Sequence, residues 1–216
     1  MFSNYRVELS MSLSVLSVFL PTFFFVSITP GMCMTLALTL GMSIGIRRTL
    51  WMVAGELVGV GLVASLSAIG VAAIMLQYPT LFLVLKYGGG AYLIYLGIQL
   101  WLSKGKMAMN PEAEQRTYQS AGALASQGFV TAIANPKGWA FFIALLPPFI
   151  DYEQAIASQL IVLIAIILTL EFICLLIYAG GGKTLSRILV RTENVKIINR
   201  IAGTLMTGVG IWLALG

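Results

Sequence analysis

The sequence contains no histidine and few charges: thirteen Lys or Arg and eight Asp or Glu in 216 residues, 10% in all. Without histidine there is no imidazole metal ligand, no His-based triad and no imidazole proton relay. A membrane-embedded enzyme would need a nucleophile with its base, or a metal site. The lack of a His-Glu-x-x-His motif and of a close carboxylate pair inside the apolar segments counts against one, so no enzyme activity, metal or cofactor is expected. The two cysteines, Cys33 and Cys174, both lie in apolar segments and read as inert packing thiols that carry no information on redox compartment.

What the chain has in excess is apolar surface. It is 59% hydrophobic with a mean hydropathy of +0.94, more than one soluble core could hide. The reading is an all-α integral membrane protein. Its length accommodates about six spans of roughly 20 residues each and leaves no soluble catalytic domain.

Apolar segments fall at 11–46, 50–76, 80–102, 124–150, 155–180 and 197–215. The run from Leu13 is preceded by both Arg6 and Glu8 and has no small-residue cleavage site, so it reads as a retained span rather than a signal peptide. Ten of the thirteen basic residues lie in or beside the first, third and fifth connections: Arg47, Arg48, Lys104, Lys106, Arg116, Lys183, Arg187, Arg191, Lys196 and Arg200. That bias makes the odd connections cytoplasmic and both termini external. The net charge of +5 then reads as topology and attraction to anionic lipid, not as a nucleic-acid surface.

Two segments are interrupted. Ser27-Ile28-Thr29-Pro30-Gly31-Met32 breaks the first span and Ala134-Asn135-Pro136-Lys137-Gly138 breaks the fourth. Proline removes a helix donor and glycine relaxes the backbone, so the freed polar groups need new partners, which in a bilayer means a protein-lined cavity. The halves also correspond. Pro30 matches Pro136 at an offset of 106 residues, Glu56 matches Glu171 at 115, and Gly90 with Gly203 and Gly97 with Gly210 both match at 113. This predicts a single transmembrane domain over 1–216, made of two three-helix repeats at about 10–102 and 124–216 around a cytoplasmic linker at 103–123. Because three is odd, the second repeat is inverted. Inverted repeats with broken helices are the signature of secondary transporters, with a midplane site at the repeat interface.

The chemistry is assigned to charges inside the spans. Glu56 and Glu171 sit deep in apolar segments at equivalent places. Each reads either as a protonated carboxyl bonded between helices or as a carboxylate that alternates between a proton and a cationic group. Lys137 at the second break is their natural partner, with Asn135 and a freed carbonyl as further acceptors for its ammonium. Lys86 is placed to snorkel to the interface. Half-helix N-termini at the breaks suit a carboxylate, and freed carbonyls with a glutamate suit an ammonium. The candidate substrate and proton site is therefore Pro30, Gly31, Glu56, Asn135, Pro136, Lys137 and Glu171.

Several of these residues carry a resemblance. Thr29-Pro30-Gly31 in the first span, Gly55-Glu56 in the second, Lys86 to Gly97 in the third, and Asn135-Pro136-Lys137-Gly138 with Pro147-Pro148-Phe149 in the fourth resemble, in order and spacing, the LysE/RhtB family of small bacterial amino-acid exporters. The resemblance runs along essentially the whole chain. It implies a multi-pass protein of the bacterial inner membrane that exports amino acids or their derivatives by proton antiport, as a homodimer, with amino acid, protons and lipid as partners. The family usually continues Pro-Gly-Pro where this chain has Met32. A channel or assembly subunit without coupled transport is the alternative, but it would not require two equivalent carboxylates and a lysine at a break.

Two lesser motifs complete the reading. Gly180-Gly181-Gly182-Lys183-Thr184 imitates a P-loop end but lacks the first glycine, where Ile177 stands, and reads as a span end. Gly41 with Gly45 and Gly55 with Gly59 have small-residue spacing that serves either packing within the protomer or a dimer face.

Overall fold

A computed structural model describes residues 13–103, 119–151, 154–190 and 192–215. The N-terminal Arg6 and Glu8, most of the expected linker with Lys104, Lys106 and Arg116, and Arg191 lie outside the described residues, as do the side chains of Lys86, Lys183 and Arg187. Among the described residues the regular structure is entirely helical.

The chain forms α1 (Leu13–Ile28), α2 (Met32–Ile44), α3 (Ile46–Gln77), α4 (Pro79–Leu102), α5 (Ala121–Ile133), α6 (Pro136–Leu145), a single 3₁₀ turn at Pro147–Phe149, α7 (Ile156–Val190) and α8 (Thr192–Leu215). The local causes are legible. Pro30 ends α1, and α1 and α2 meet at a bend of 56°. Gly45, at φ 80°, takes the left-handed turn between α2 and α3 that other residues adopt at a cost. Tyr78 alone separates α3 from α4, whose first residue is Pro79, where the missing N–H costs nothing. Ser120 and Asn135 cap α5 and α6 through their side chains.

Among the described residues, two helical segments, Ile46–Val71 and Ile156–Gly181, are long and apolar enough to cross a membrane, and the bent α1–α2 pair makes a third if it counts as one span. Outward-facing residues on the long helices are apolar: Val58 on α3 is 64% exposed and Ile161 on α7 is 69%. Such surface suits lipid rather than water. The apolar span of α7 ends at Gly181, within the glycine run 180–182 as expected, but the helix itself continues through Lys183 to Val190. Once a helix has propagated, glycine costs about 1 kcal/mol against alanine, less than breaking the hydrogen-bond ladder with nothing to replace it.

Each broken helix packs on a long helix of the other half: α5 runs along α3 and α2 runs along α7, while α4 pairs with α8. Small residues make these approaches possible. A Cβ on Gly41 would collide with the Ala179 backbone, one on Gly55 with the Ala125 carbonyl, and one on Gly59 with the Ala132 side chain at 2.7 Å. Gly41, Gly55 and Gly59 are thus used within the protomer. In the α4–α8 pair Gly97 abuts Gly203 and Gly210 abuts Gly90. One end of that pair is fastened by polar contacts: Trp101 Nε1 donates to Thr204 Oγ1 at 2.9 Å, Arg200 lies 5.0 Å over the Trp101 ring, and Asn199 donates to Ser103 Oγ at 2.6 Å.

Apolar packing divides into two clusters. Phe19, Phe23, Phe141, Phe142, Phe149, Leu163 and Ile167 anchor one, and Met34, Leu38, Met52, Leu124, Leu175 and Tyr178 anchor the other. Cys174 is fully buried in the second and packs there as expected.

Candidate functional site

Between the two clusters lies a cavity of about 70 Å³, bounded by both breaks. By the ~10–15 Å³ that one water takes on this measure, it holds about five water-sized groups, on the scale of a small amino acid. The structure brings five of the seven candidate residues to its wall: Gly31, Glu56, Asn135, Lys137 and Glu171. Pro30 and Pro136 are not part of the lining; they shape the breaks that present their neighbours.

Several carbonyls freed at the breaks find donors elsewhere in the protein. Pro30 has no N–H, so the Val26 carbonyl one turn earlier loses its helix donor. Lys137 Nζ takes that place, donating to the Val26 oxygen at 3.3 Å. Tyr178 OH on α7 donates to the Ile28 carbonyl at 2.7 Å, and Thr29 Oγ1 folds back to the Phe25 carbonyl at 2.7 Å. At the second break the Ala132 carbonyl, freed by Pro136, accepts from Asn135 N at 3.2 Å, and Trp139 Nε1 donates to the Ile133 carbonyl at 2.9 Å.

Lys137 therefore meets two of the three partners expected of it. It has a freed carbonyl, which belongs to the opposite break, and it lies within electrostatic range of Glu171. The Asn135 side chain instead accepts the Lys137 backbone N–H at 3.1 Å and so caps α6. Its amide nitrogen points the other way, to Cys33 Sγ at 3.9 Å.

Glu56 exposes no surface to solvent, and both its carboxyl oxygens are without a hydrogen-bond partner although they face the cavity wall. It lies within electrostatic range of Glu171 and Cys33. Glu171, on α7, faces Ser27 as well as Lys137. An apolar wall of Phe23, Val60, Val63, Phe141 and Phe142 completes the enclosure.

Sequence reasoning missed three contributors. Cys33 was expected to be a packing thiol, yet it lines the cavity beside Glu56; its place three residues after Pro30 was the available signal. Tyr178 was missed although a tyrosine hydroxyl in an apolar span must find a partner. The phenylalanines of the wall look like any membrane-facing aromatics until the fold turns them inward.

The LysE type translocator model matches residues 24–216. Among curated relatives, an uncharacterized membrane protein of Vibrio cholerae is 29% identical over 87% of this chain and 90% of its own. A homoserine/homoserine lactone efflux protein of Salmonella typhimurium is 28% identical over 87% and 90%. A leucine efflux protein of Enterobacter sp. is 25% identical over 88% and 90%. No solved structure matches.

Proposed function

Because this chain belongs to the LysE type translocator family, we propose that it is a secondary transporter that exports amino acids or their derivatives across the bacterial inner membrane by proton antiport. The site is the cavity between the two breaks, with Glu56 and Glu171 as the groups that exchange a proton for the substrate's ammonium. Lys137 ties the breaks together. The relatives named as efflux proteins for homoserine and for leucine support an amino-acid cargo.

The architecture of this reading is a six-span inverted repeat with external termini. Its support is the reciprocal packing of the halves. Residues that correspond in the sequence, Gly90 with Gly203 and Gly97 with Gly210, meet crosswise, Gly97 against Gly203 and Gly90 against Gly210. A two-fold axis relating the repeats turns each of those contacts into the other. The homodimer and the inner-membrane location follow from the family resemblance.

The single observation that carries the proposal is a fully buried, unpartnered carboxyl, Glu56, in a cavity where two helices are broken. A buried charged group of this kind is costly and needs a functional partner. The test is export from reconstituted vesicles loaded with a panel of amino acids under an imposed pH gradient. Efflux of at least one of them, faster than from protein-free vesicles and stimulated by the gradient, is expected. Leakage equal to protein-free vesicles across the whole panel would dismiss the proposal.

A further inference from the structure

The two breaks are not equivalent in how their backbone donors are met. At the second, the start of α6 is closed: Asn135 Oδ1 accepts the Lys137 N–H at 3.1 Å, Pro136 has no N–H, and Gly138 N turns back to the Asn135 carbonyl at 3.1 Å. At the first, every freed carbonyl discussed above has a donor, but the start of α2 has no side-chain cap. Its N-cap is Gly31, which has no side chain, and the hydroxyl of Thr29 is turned away to Phe25. The opening N–H groups of a helix have no partner within the helix and carry the positive end of its dipole. Here they belong to Met32, Cys33 and Met34, all of which line the cavity.

A second observation points to a ligand at the same place. Glu56 is fully buried, neither of its oxygens makes a hydrogen bond of normal length, and Cys33 and Glu171 are the polar groups beside it. The cavity thus presents an unanswered set of donors next to an unanswered pair of acceptors. We infer that the N-terminus of α2 is the subsite for the substrate's α-carboxylate, and that Glu56 receives the α-ammonium of the same molecule. This rests on the amino-acid export proposed above.

The chemistry fits one ligand class. An α-amino acid carries its ammonium and carboxylate on a single carbon, so one molecule answers both groups, while its side chain runs along Phe23, Phe141 and Phe142. Helix N-termini are ready-made anion sites. Lys137 serves the breaks instead: its ammonium donates to the Val26 carbonyl and lies within electrostatic range of Glu171, which competes with an anion for it. An amine without the carboxylate leaves the donors unpaired, and a hydroxy acid without the ammonium leaves Glu56 unpaired. Leaving a buried polar partner unmet discriminates far more strongly than a change in apolar bulk. The asymmetry also explains why two matched breaks make one carboxylate site: Asn135 fills at α6 the position that Gly31 leaves open at α2.

The test puts a cap where there is none. Gly31 has extended backbone, φ −135° and ψ −171°, and a Cβ there would meet only the Thr29 carbonyl at 3.9 Å, so a side chain has room. Serine in that conformation caps α2 with its own hydroxyl, and alanine adds the carbon without the oxygen. Vesicles containing wild type, Gly31→Ser or Gly31→Ala are assayed with the best-exported amino acid of the panel, and with its decarboxylated amine as competitor. Gly31→Ser is expected to raise KM at least tenfold relative to Gly31→Ala, with a melting temperature equal to or above that of the alanine variant, and the amine is expected not to compete. Equal KM values in the two variants, or an amine that competes as well as the amino acid, would overturn the subsite while leaving export standing. A wild type that moves no amino acid at all would remove the export reading and this subsite with it.

Discussion

Lys137 Nζ donates to the Val26 carbonyl at 3.3 Å, the oxygen that Pro30 deprives of its own helix donor. A residue at the second break thereby repairs the first. The two prolines, matched in the sequence, are parts of one arrangement in which the helix ends are held in place around a cavity.

Replacing that ammonium exposes its role. Lys137→Met keeps an unbranched stem of four heavy atoms but removes the ammonium, leaving the Val26 oxygen without this donor and Glu171 without the nearby cation. An unmet buried acceptor costs about 1–3 kcal/mol, and each 1.4 kcal/mol is tenfold. Transport in vesicles is expected to fall about tenfold or more while the purified protein remains monodisperse in detergent.

Tyr178 performs a similar repair from α7, donating to the Ile28 carbonyl at 2.7 Å. Tyr178→Phe removes only the hydroxyl, so the packing of a fully buried ring is kept. The expected result is a loss of about 1–3 kcal/mol in stability, read as an earlier thermal unfolding transition.

The close approach of α3 and α5 gives a prediction of different kind. A Cβ on Gly128 would strike the Met52 carbonyl and stand 2.9 Å from the Glu56 nitrogen, whereas one on Gly122 meets open space on the same helix. Gly128→Ala is expected to destabilise the fold by about 1–3 kcal/mol, as overpacking does. Gly122→Ala is expected to stay within about 0.5 kcal/mol of wild type. Melting curves of the two variants side by side check this.

Asn135 caps α6 through the Lys137 N–H. Asn135→Ala removes a cap worth about 1 kcal/mol and is expected to lower the melting temperature by about 2–4 °C. Asn135→Asp and Asn135→Ser, which retain an accepting oxygen, are expected to recover most of it.

Much of this was legible in the sequence because prolines and charges are unambiguous in apolar surroundings. Pro30, Pro136, Glu56, Lys137 and Glu171 identify the breaks and the buried charges, and the spacing of Gly90, Gly97, Gly203 and Gly210 relates the two halves, though it does not show that these glycines meet between α4 and α8. Three features were not legible, each for a physical reason. Whether Lys137 pairs with its own break or the other depends on the tertiary placement of Val26. The cavity role of Cys33 depends on α3 bringing Glu56 beside it. The persistence of α7 through Gly180, Gly181 and Gly182 reflects cooperative helix propagation, which local propensity does not report.

The central claim is that proton movement through the Glu56 site drives export, and one measurement meets it directly. Vesicles hold the transported amino acid at equal concentration inside and out, and the outside is then acidified. The account predicts that the internal amino acid falls below the external level, that a protonophore abolishes this fall, and that Glu56→Gln loses the uphill component. A wild type that never moves its substrate uphill, or a Glu56→Gln variant that does so as well as wild type, would contradict it.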